Sequence, residues 1–215
     1  MTFLNYALSL VFPNVCGICG KISKNAICEK CYDDLKEKNN FIINDYSQDK
    51  TKYFTEHAYL FSYEGIIREK ILQYKFYDKA YLADMFCEFL IKNEKICGLL
   101  KKYDIIVTVP ISKQRLRQRG YNQSELIARR IGKRTNITYQ NVLVKYHNNL
   151  PQSTLNKTQR IQNVMGVYQL KNQQIIQNKN ILIFDDIYTT GSTSNECAKV
   201  LKLARSLSNR NFNNS

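Results

Sequence analysis

Tryptophan is absent from this 215-residue chain; proline occurs three times, glycine eight times and histidine twice. So little glycine and proline excludes a collagen-like or low-complexity polymer. The two histidines, His57 and His147, stand at neither ligand nor triad spacing, and no Walker-type or Ser-His-Asp pattern occurs. No apolar run approaches the roughly 20 residues needed to cross a bilayer, so no transmembrane segment is expected. Met1–Leu10 has an apolar stretch but lacks basic leading residues and a small-residue cleavage site. It reads as a short helix or interaction segment and not as a signal peptide. The 44% hydrophobic and 23% charged fractions are those of a folded protein.

Acids are scarce too: 18 Asp+Glu face 32 Lys+Arg, a formal charge of +14. Such an excess favours polyanionic partners, although a lysine-rich composition throughout the chain also produces it. The charge is uneven. Lys113, Arg115, Arg117, Arg119, Arg129, Arg130, Lys133 and Arg134 crowd a segment whose one acid is Glu125.

Cysteine is the residue the chain does have, seven times, four of them as Cys16-x2-Cys19-x8-Cys28-x2-Cys31. Without a secretion signal, paired CxxC units read as a tetrathiolate metal site, with Zn2+ as its usual occupant. A redox dithiol explains only one pair at a time. Four sulfur ligands leave no open position, so the zinc is expected to be structural. Gly17 and Gly20 suit the tight turns of such a knuckle. Cys87, Cys97 and Cys197 read as small packing residues. A reducing, cytoplasmic compartment follows.

The residue pattern divides the chain into 1–36, an N-terminal segment with the four-Cys module; 37–100, a linker and hood region of strand and helices; 101–205, the main α/β domain; and 206–215, a disordered tail. Strands are predicted over His57–Tyr63, Asp104–Pro110, Asn141–Tyr146 and Asn180–Phe184, the second and last of them buried. Helices are predicted over Ile66–Tyr74, Ala80–Ile91, Asn122–Arg134, Asn156–Gln162 and Ser192–Arg205. Alternating strands and helices imply a parallel sheet. In Tyr74-Lys75-Phe76-Tyr77, a lysine framed by aromatics suits either a helix core or a stacking surface for single-stranded nucleic acid.

Ile181–Thr193, ILIFDDIYTTGST, carries the most chemistry. An apolar strand ends on Asp185 and Asp186, where ligands bind in open α/β sheets. Thr189, Thr190, Gly191, Ser192 and Thr193 then form a turn whose amides and hydroxyls can surround one phosphate at a helix N-terminus. Two carboxylates beside a phosphate site suit a ligand that has hydroxyls next to its phosphate, as a ribose does. The alternative is an ordinary capped turn.

This run resembles the signature of type I phosphoribosyltransferases, which bind phosphoribosyl pyrophosphate (PRPP). The resemblance implies that Asp185 and Asp186 hold the ribose hydroxyls and that Thr189 to Thr193 grip the 5-phosphate. VPISKQRLRQRGYNQSELIARRI, Val109 to Ile131, is similar to the strand, pyrophosphate-side loop and helix of ComF-family proteins. LPQSTLNKTQRIQNV, Leu150 to Val164, is similar to that family's flexible hood. With the four-Cys module, the resemblance spans about Val11 to Leu203. It implies a type I phosphoribosyltransferase-like parallel sheet flanked by helices, Mg2+ carried with PRPP, and a role in natural competence and DNA uptake. The implied partners are single-stranded DNA and a competence helicase. Type I sheets add a final strand after the PRPP helix, but Lys202–Ser215 has no glycine and no strand-like run, so that strand is expected to be missing.

Phosphoribosyl transfer asks a protein to hold the ring, neutralise the pyrophosphate and exclude water. Lys113, Arg115, Arg117 and Arg119 are placed to meet pyrophosphate or DNA, with Lys145 and Arg160 closing from the hood side. A salvage or biosynthetic phosphoribosyltransferase acting on a base or amine is the alternative function. A zinc adaptor with a vestigial pocket is the third.

Overall fold

The structure, a computed structural model, describes residues 14–38, 41–146 and 165–212, with side chains to Arg205. Met1–Leu10, His147, the Leu150–Val164 element and Arg160 lie outside the described residues.

Three strands form the parallel sheet: β3 (Ile105–Thr108) at its centre, β4 (Thr138–Tyr139) on one side and β7 (Ile181–Phe184) on the other. All four residues of β3 are buried. Its alternation sends Ile106 into one core, and Ile105, Val107 and Val109 into another on the opposite face. The start of the β3–β7 pair is clasped twice: the Asp104 N–H donates to the Asn180 carbonyl at 2.9 Å, and Asp104 Oδ2 accepts from the Asn180 N–H at 2.6 Å. β7 is expected to be a buried strand, but it is half-buried along its length and is one of the two sheet edges among the described residues. Two antiparallel pairs flank the sheet: β1 (Ile42–Asp45) with β2 (Glu56–Tyr59), and β5 (Leu143–Lys145) with β6 (Tyr168–Leu170). β1 falls in a stretch that reads as a polar linker. Its residues are mostly exposed, so no burial pattern marks it in the sequence.

One core packs α2 (Gly65–Phe76), α3 (Leu82–Lys92), α4 (Glu94–Leu100) and α6 (Gln123–Arg134) against Ile106. Leu82, Met85 and Phe89 recur at helical spacing on the inner face of α3, and Ile127 and Ile131 do so on α6, against which α3 packs. Asn122 caps α6 through its side chain, which accepts from the Ser124 N–H at 3.1 Å. Between β3 and α6, the segment that reads as a loop contains a helix, α5 (Lys113–Arg119), because Ser112 Oγ accepts from the Arg115 N–H and caps it. On the opposite face α7 (Ser192–Phe212) buries Cys197 and Leu201 with β5 and β6. Its backbone stays helical to Phe212, within the 206–215 stretch that reads as a disordered tail.

The four-Cys segment is built into the first core. Cys16, Ile27, Cys31 and Leu35, the last two on α1 (Glu29–Glu37), are buried with the side chains of α2 and α3. Glu88 of α3 reaches back to accept from the Ala26 N–H at 2.8 Å. Gly17 lies directly on α3, where a Cβ would come within 2.9 Å of Leu82 Cδ2 and Met85 Cβ. Gly17→Ala should therefore lower stability by about 1–3 kcal/mol, the usual cost of overpacking. Denaturant melts check this: the midpoint should fall with the slope unchanged.

Candidate functional site

Because β7 runs parallel to β3, its carboxyl end opens beside Val109 and the α5–α6 segment. Asp185 and Asp186 stand there, both half-buried. Asp185 Oδ1 accepts from Ser124 Oγ at 3.1 Å and from the Asp186 N–H at 3.0 Å. Asp186 Oδ2 lies 2.6 Å from Lys75 Nζ, with both side chains largely shielded. Burial, and then the neighbouring Asp186, push the Asp185 carboxyl up to about 8 against the pull of Lys75. At neutral pH this shift favours the protonated form of the Asp185 carboxyl, which can then donate a hydrogen bond.

Beyond the acids, the chain turns through Thr189 to Gly191 into α7. Thr190 and Ser192 pair through their hydroxyls at 2.6 Å, and Gly191 adopts a φ of 71°. A Cβ at Gly191 would overlap the Tyr188 hydroxyl, so the turn needs glycine for space as well as for backbone conformation. Tyr188 stacks on His57 at 3.6 Å between ring centres. The connection between β1 and β2 covers the start of α7: Asn195 donates to the Thr51 carbonyl and accepts from the Tyr53 N–H. Lys52 is brought in this way beside Thr190 and Ser192, lining a pocket of about 240 Å3. A separate cavity of about 1160 Å3 runs from the acid pair along β7 between α7 and the α2–α4 side, and its wall is chiefly apolar.

Seven of the eight residues of the basic block divide into two sets, and Lys133 is exposed on α6. Arg130 makes two hydrogen bonds to Asp84, Arg134 joins the same carboxylate, and Arg129 pairs with Glu125 at 2.7 Å. These three serve α3 and α6. On α5, Arg115 and Arg119 are half-buried, while Lys113 and Arg117 are exposed. Burial and the adjacent Arg115 hold the Arg119 guanidinium below its ordinary value, and the field of Asp186 opposes them. Lys145 is half-buried on β5 and lowered to about 8 by burial and by Arg115. Arg119 thus stands in the field of Asp186, Arg115 acts on both Arg119 and Lys145, and Lys113 and Arg117 are exposed.

Lys75, Ser124, Lys52 and Tyr188 take part in this geometry, and sequence reading assigns none of them to the site. Lys75 had a signal, in its aromatic frame. Tyr74 is buried as that pattern's core reading expects, whereas Phe76 and Tyr77 are 61% and 68% exposed.

The four sulfurs of Cys16, Cys19, Cys28 and Cys31 lie within 4.8 Å of one another. A tetrahedral zinc with Zn–S bonds of about 2.3 Å spaces its sulfurs about 3.8 Å apart, so the cluster is compatible with a structural zinc site. Burial opposes ionisation of Cys16, but the N–H groups of Cys19, Cys28 and Ile18 outweigh it and bring the thiol down to about 6. Burial and the neighbouring sulfurs push the Cys31 thiol the other way, so the cluster pairs one ready thiolate with a thiol that gives up its proton only to a bound cation.

Asp185 has a consequence for stability. Folding raises its pKa from 3.8 to about 8, so the unfolded chain loses this proton first, and the contribution to stability declines as pH rises across that window. Asp185→Asn should be more stable than the unaltered chain at pH 8 by at least ~1 kcal/mol, on the order of 2–4 °C in melting temperature. The advantage should vanish near pH 4, which thermal melts across the range will check.

No family model matches the chain. Competence protein ComFC of Bacillus subtilis (strain 168) is 26% identical over 196 residues, 90% of this chain and 74% of that protein. Competence protein ComFC of Streptococcus pneumoniae (strain ATCC BAA-255 / R6) is 31% identical over 148 residues, 69% of this chain and 62% of that protein. Competence protein F of Haemophilus influenzae (strain ATCC 51907 / DSM 11121 / KW20 / Rd) is 25% identical over 202 residues, 84% and 86% of the two chains. With similarity to several such proteins over most of its length, this chain belongs to the ComF family of competence proteins.

Proposed function

We propose that this protein binds PRPP with Mg2+ at the carboxyl end of β7 and acts in natural competence, in the cytoplasmic handling of single-stranded DNA during uptake and transformation. The observation that carries the PRPP reading is the order of groups at that strand end. Asp185 and Asp186 come first, then a turn with paired Thr190 and Ser192 hydroxyls, then the N-terminus of α7. In this reading the acids hold the ribose hydroxyls. Thr189, Thr190, Gly191, Ser192 and Thr193 hold the 5-phosphate, and Lys52 adds charge beside them. Arg115, Arg119 and Lys145 face the pyrophosphate.

The fit to Mg2+ is through the ligand. Asp186 is engaged by Lys75, and Asp185 already accepts two hydrogen bonds, so the acids form no open carboxylate cage. A hard cation of this kind is commonly held by substrate phosphates with few protein ligands, and when bound it neutralises charge on the pyrophosphate. The four-Cys cluster holds a structural Zn2+ in the same reading. A competence helicase is the partner to which the DNA passes.

DNA is assigned to the outward face of α5, where Lys113 and Arg117 are exposed and the neighbouring Phe76 and Tyr77 rings offer stacking surfaces. The Arg119 guanidinium lies 4.9 Å from the centre of the Phe76 ring and ties the two elements together.

Two measurements test the proposal separately. PRPP at about 100 times its Kd, with Mg2+, should stabilise the fold by about 2.7 kcal/mol, raising the melting temperature by roughly 5–10 °C. Asp185→Asn with Asp186→Asn should abolish the shift, and a shift that survives both changes contradicts the ligand assignment. For DNA, Lys113→Ala with Arg117→Ala should weaken oligo(dT) binding and reduce the salt slope by about 1.4, the value for two lost single-strand phosphate contacts. Unchanged salt dependence contradicts the α5 surface.

A further inference from the structure

Lys75 sits in the last turn of α2 and reaches across to the loop after β7, its Nζ 2.6 Å from Asp186 Oδ2. The side chains of the pair are 15% and 13% exposed, so this is no solvent-screened surface contact. Its root is fixed on both sides. The Tyr74 hydroxyl donates to the Gln123 carbonyl at 2.9 Å, and the Tyr121 hydroxyl donates to the Tyr74 carbonyl. The two rings also stack, 5.5 Å apart. These bonds anchor the end of α2 to the first residues of α6, and Ser124 of that same segment donates to Asp185. One platform therefore holds both acids, Asp185 through a hydroxyl and Asp186 through an ammonium.

Adjacent carboxylates in a half-buried site repel one another, and an unpaired one swings toward water or takes up a proton. We infer that Lys75 is a positioning residue for the acid pair: its ammonium keeps the Asp186 carboxylate turned beside Asp185, where the two can take neighbouring ribose hydroxyls. The inference deepens the PRPP reading and rests on it. Besides Lys75, the charged or polar groups facing the pair are Tyr74 from α2, Arg119 from α5, Ser124 from α6, Tyr168 from β6 and Cys197 from α7. Of these and Lys75, the lysine alone forms an ion pair with Asp186.

A bridge that only ties α2 to the β7 loop has the same geometry but different consequences. The test measures Mg2+–PRPP affinity by calorimetry for Lys75→Met, Lys75→Arg, Asp186→Asn and the Lys75→Met/Asp186→Asn double variant, each across pH 5–9. A positioning role predicts that Lys75→Met weakens binding about tenfold or more, as for loss of a charge-assisted contact. Its pH profile should move upward, because the pair loses the cation that favours its charged form. Lys75→Arg should restore affinity to within about threefold, and Lys75→Met should add nothing to the effect of Asp186→Asn in the double variant. Should Lys75→Met fail to fold, Lys75→Gln makes the same comparison. Wild-type affinity in Lys75→Met overturns the inference alone. So does a full further loss when Lys75→Met is added to Asp186→Asn, which would mean that Lys75 touches the ligand directly. Absence of PRPP binding by the unaltered protein overturns this inference together with the PRPP reading.

Discussion

The parallel pairing of Ile105–Thr108 with Ile181–Phe184 fixes where every group of the site stands. A strand slipped by one residue would exchange its faces, sending Ile181 and Ile183 to the wrong core and turning the acids away from Ser124. The Asp104–Asn180 clasp prevents that slip at the amino end, and the Val109 N–H, bonded to the Phe184 carbonyl at 3.3 Å, extends the ladder to the end that carries the site. β3 is buried on both faces, so the register is held by two cores. From this pairing come the position of the acid pair, the entry of α7 and the approach of α5 and α6.

Electrostatics sets the character of the strand end. Two carboxylates on consecutive residues are shielded from water, with Lys75 paired to Asp186, Arg119 in its field, and Arg115 acting in turn on Arg119 and Lys145. The basic excess that looks uniform in composition is divided by the fold into arginines neutralised by Asp84 and Glu125 and cations gathered about the acids or facing outward. An anionic ligand with hydroxyl groups is the chemistry that such a mixture suits.

Much of this was legible in the sequence, and the exceptions have physical causes. DIIVTVP and ILIF announce strands because buried parallel strands are continuous apolar runs, and four cysteines at knuckle spacing announce their own cluster. Asp185 and Asp186 are legible because a carboxylate pair at a strand end needs a reason. Lys75, Ser124 and Lys52 were not legible, because they reach the site through tertiary packing from 111, 61 and 133 residues upstream of Asp186, Asp185 and Asp185 respectively. Helix α5 was hidden by its resemblance to a loop, and its cap, Ser112, is a single residue. β7 reads as buried because an apolar run does not say how many neighbours a strand has.

The account turns on a shielded pair of carboxylates at the tip of β7, where burial and Asp186 raise Asp185. Carbon-13 NMR of aspartate carboxyl groups, followed from pH 3 to 9 and assigned through Asp185→Asn and Asp186→Asn, measures that directly. One member of the pair should titrate near 8, well apart from the exposed aspartates of the chain. If both titrate with the exposed carboxylates near 4, the pair is open to water and the site has been misread.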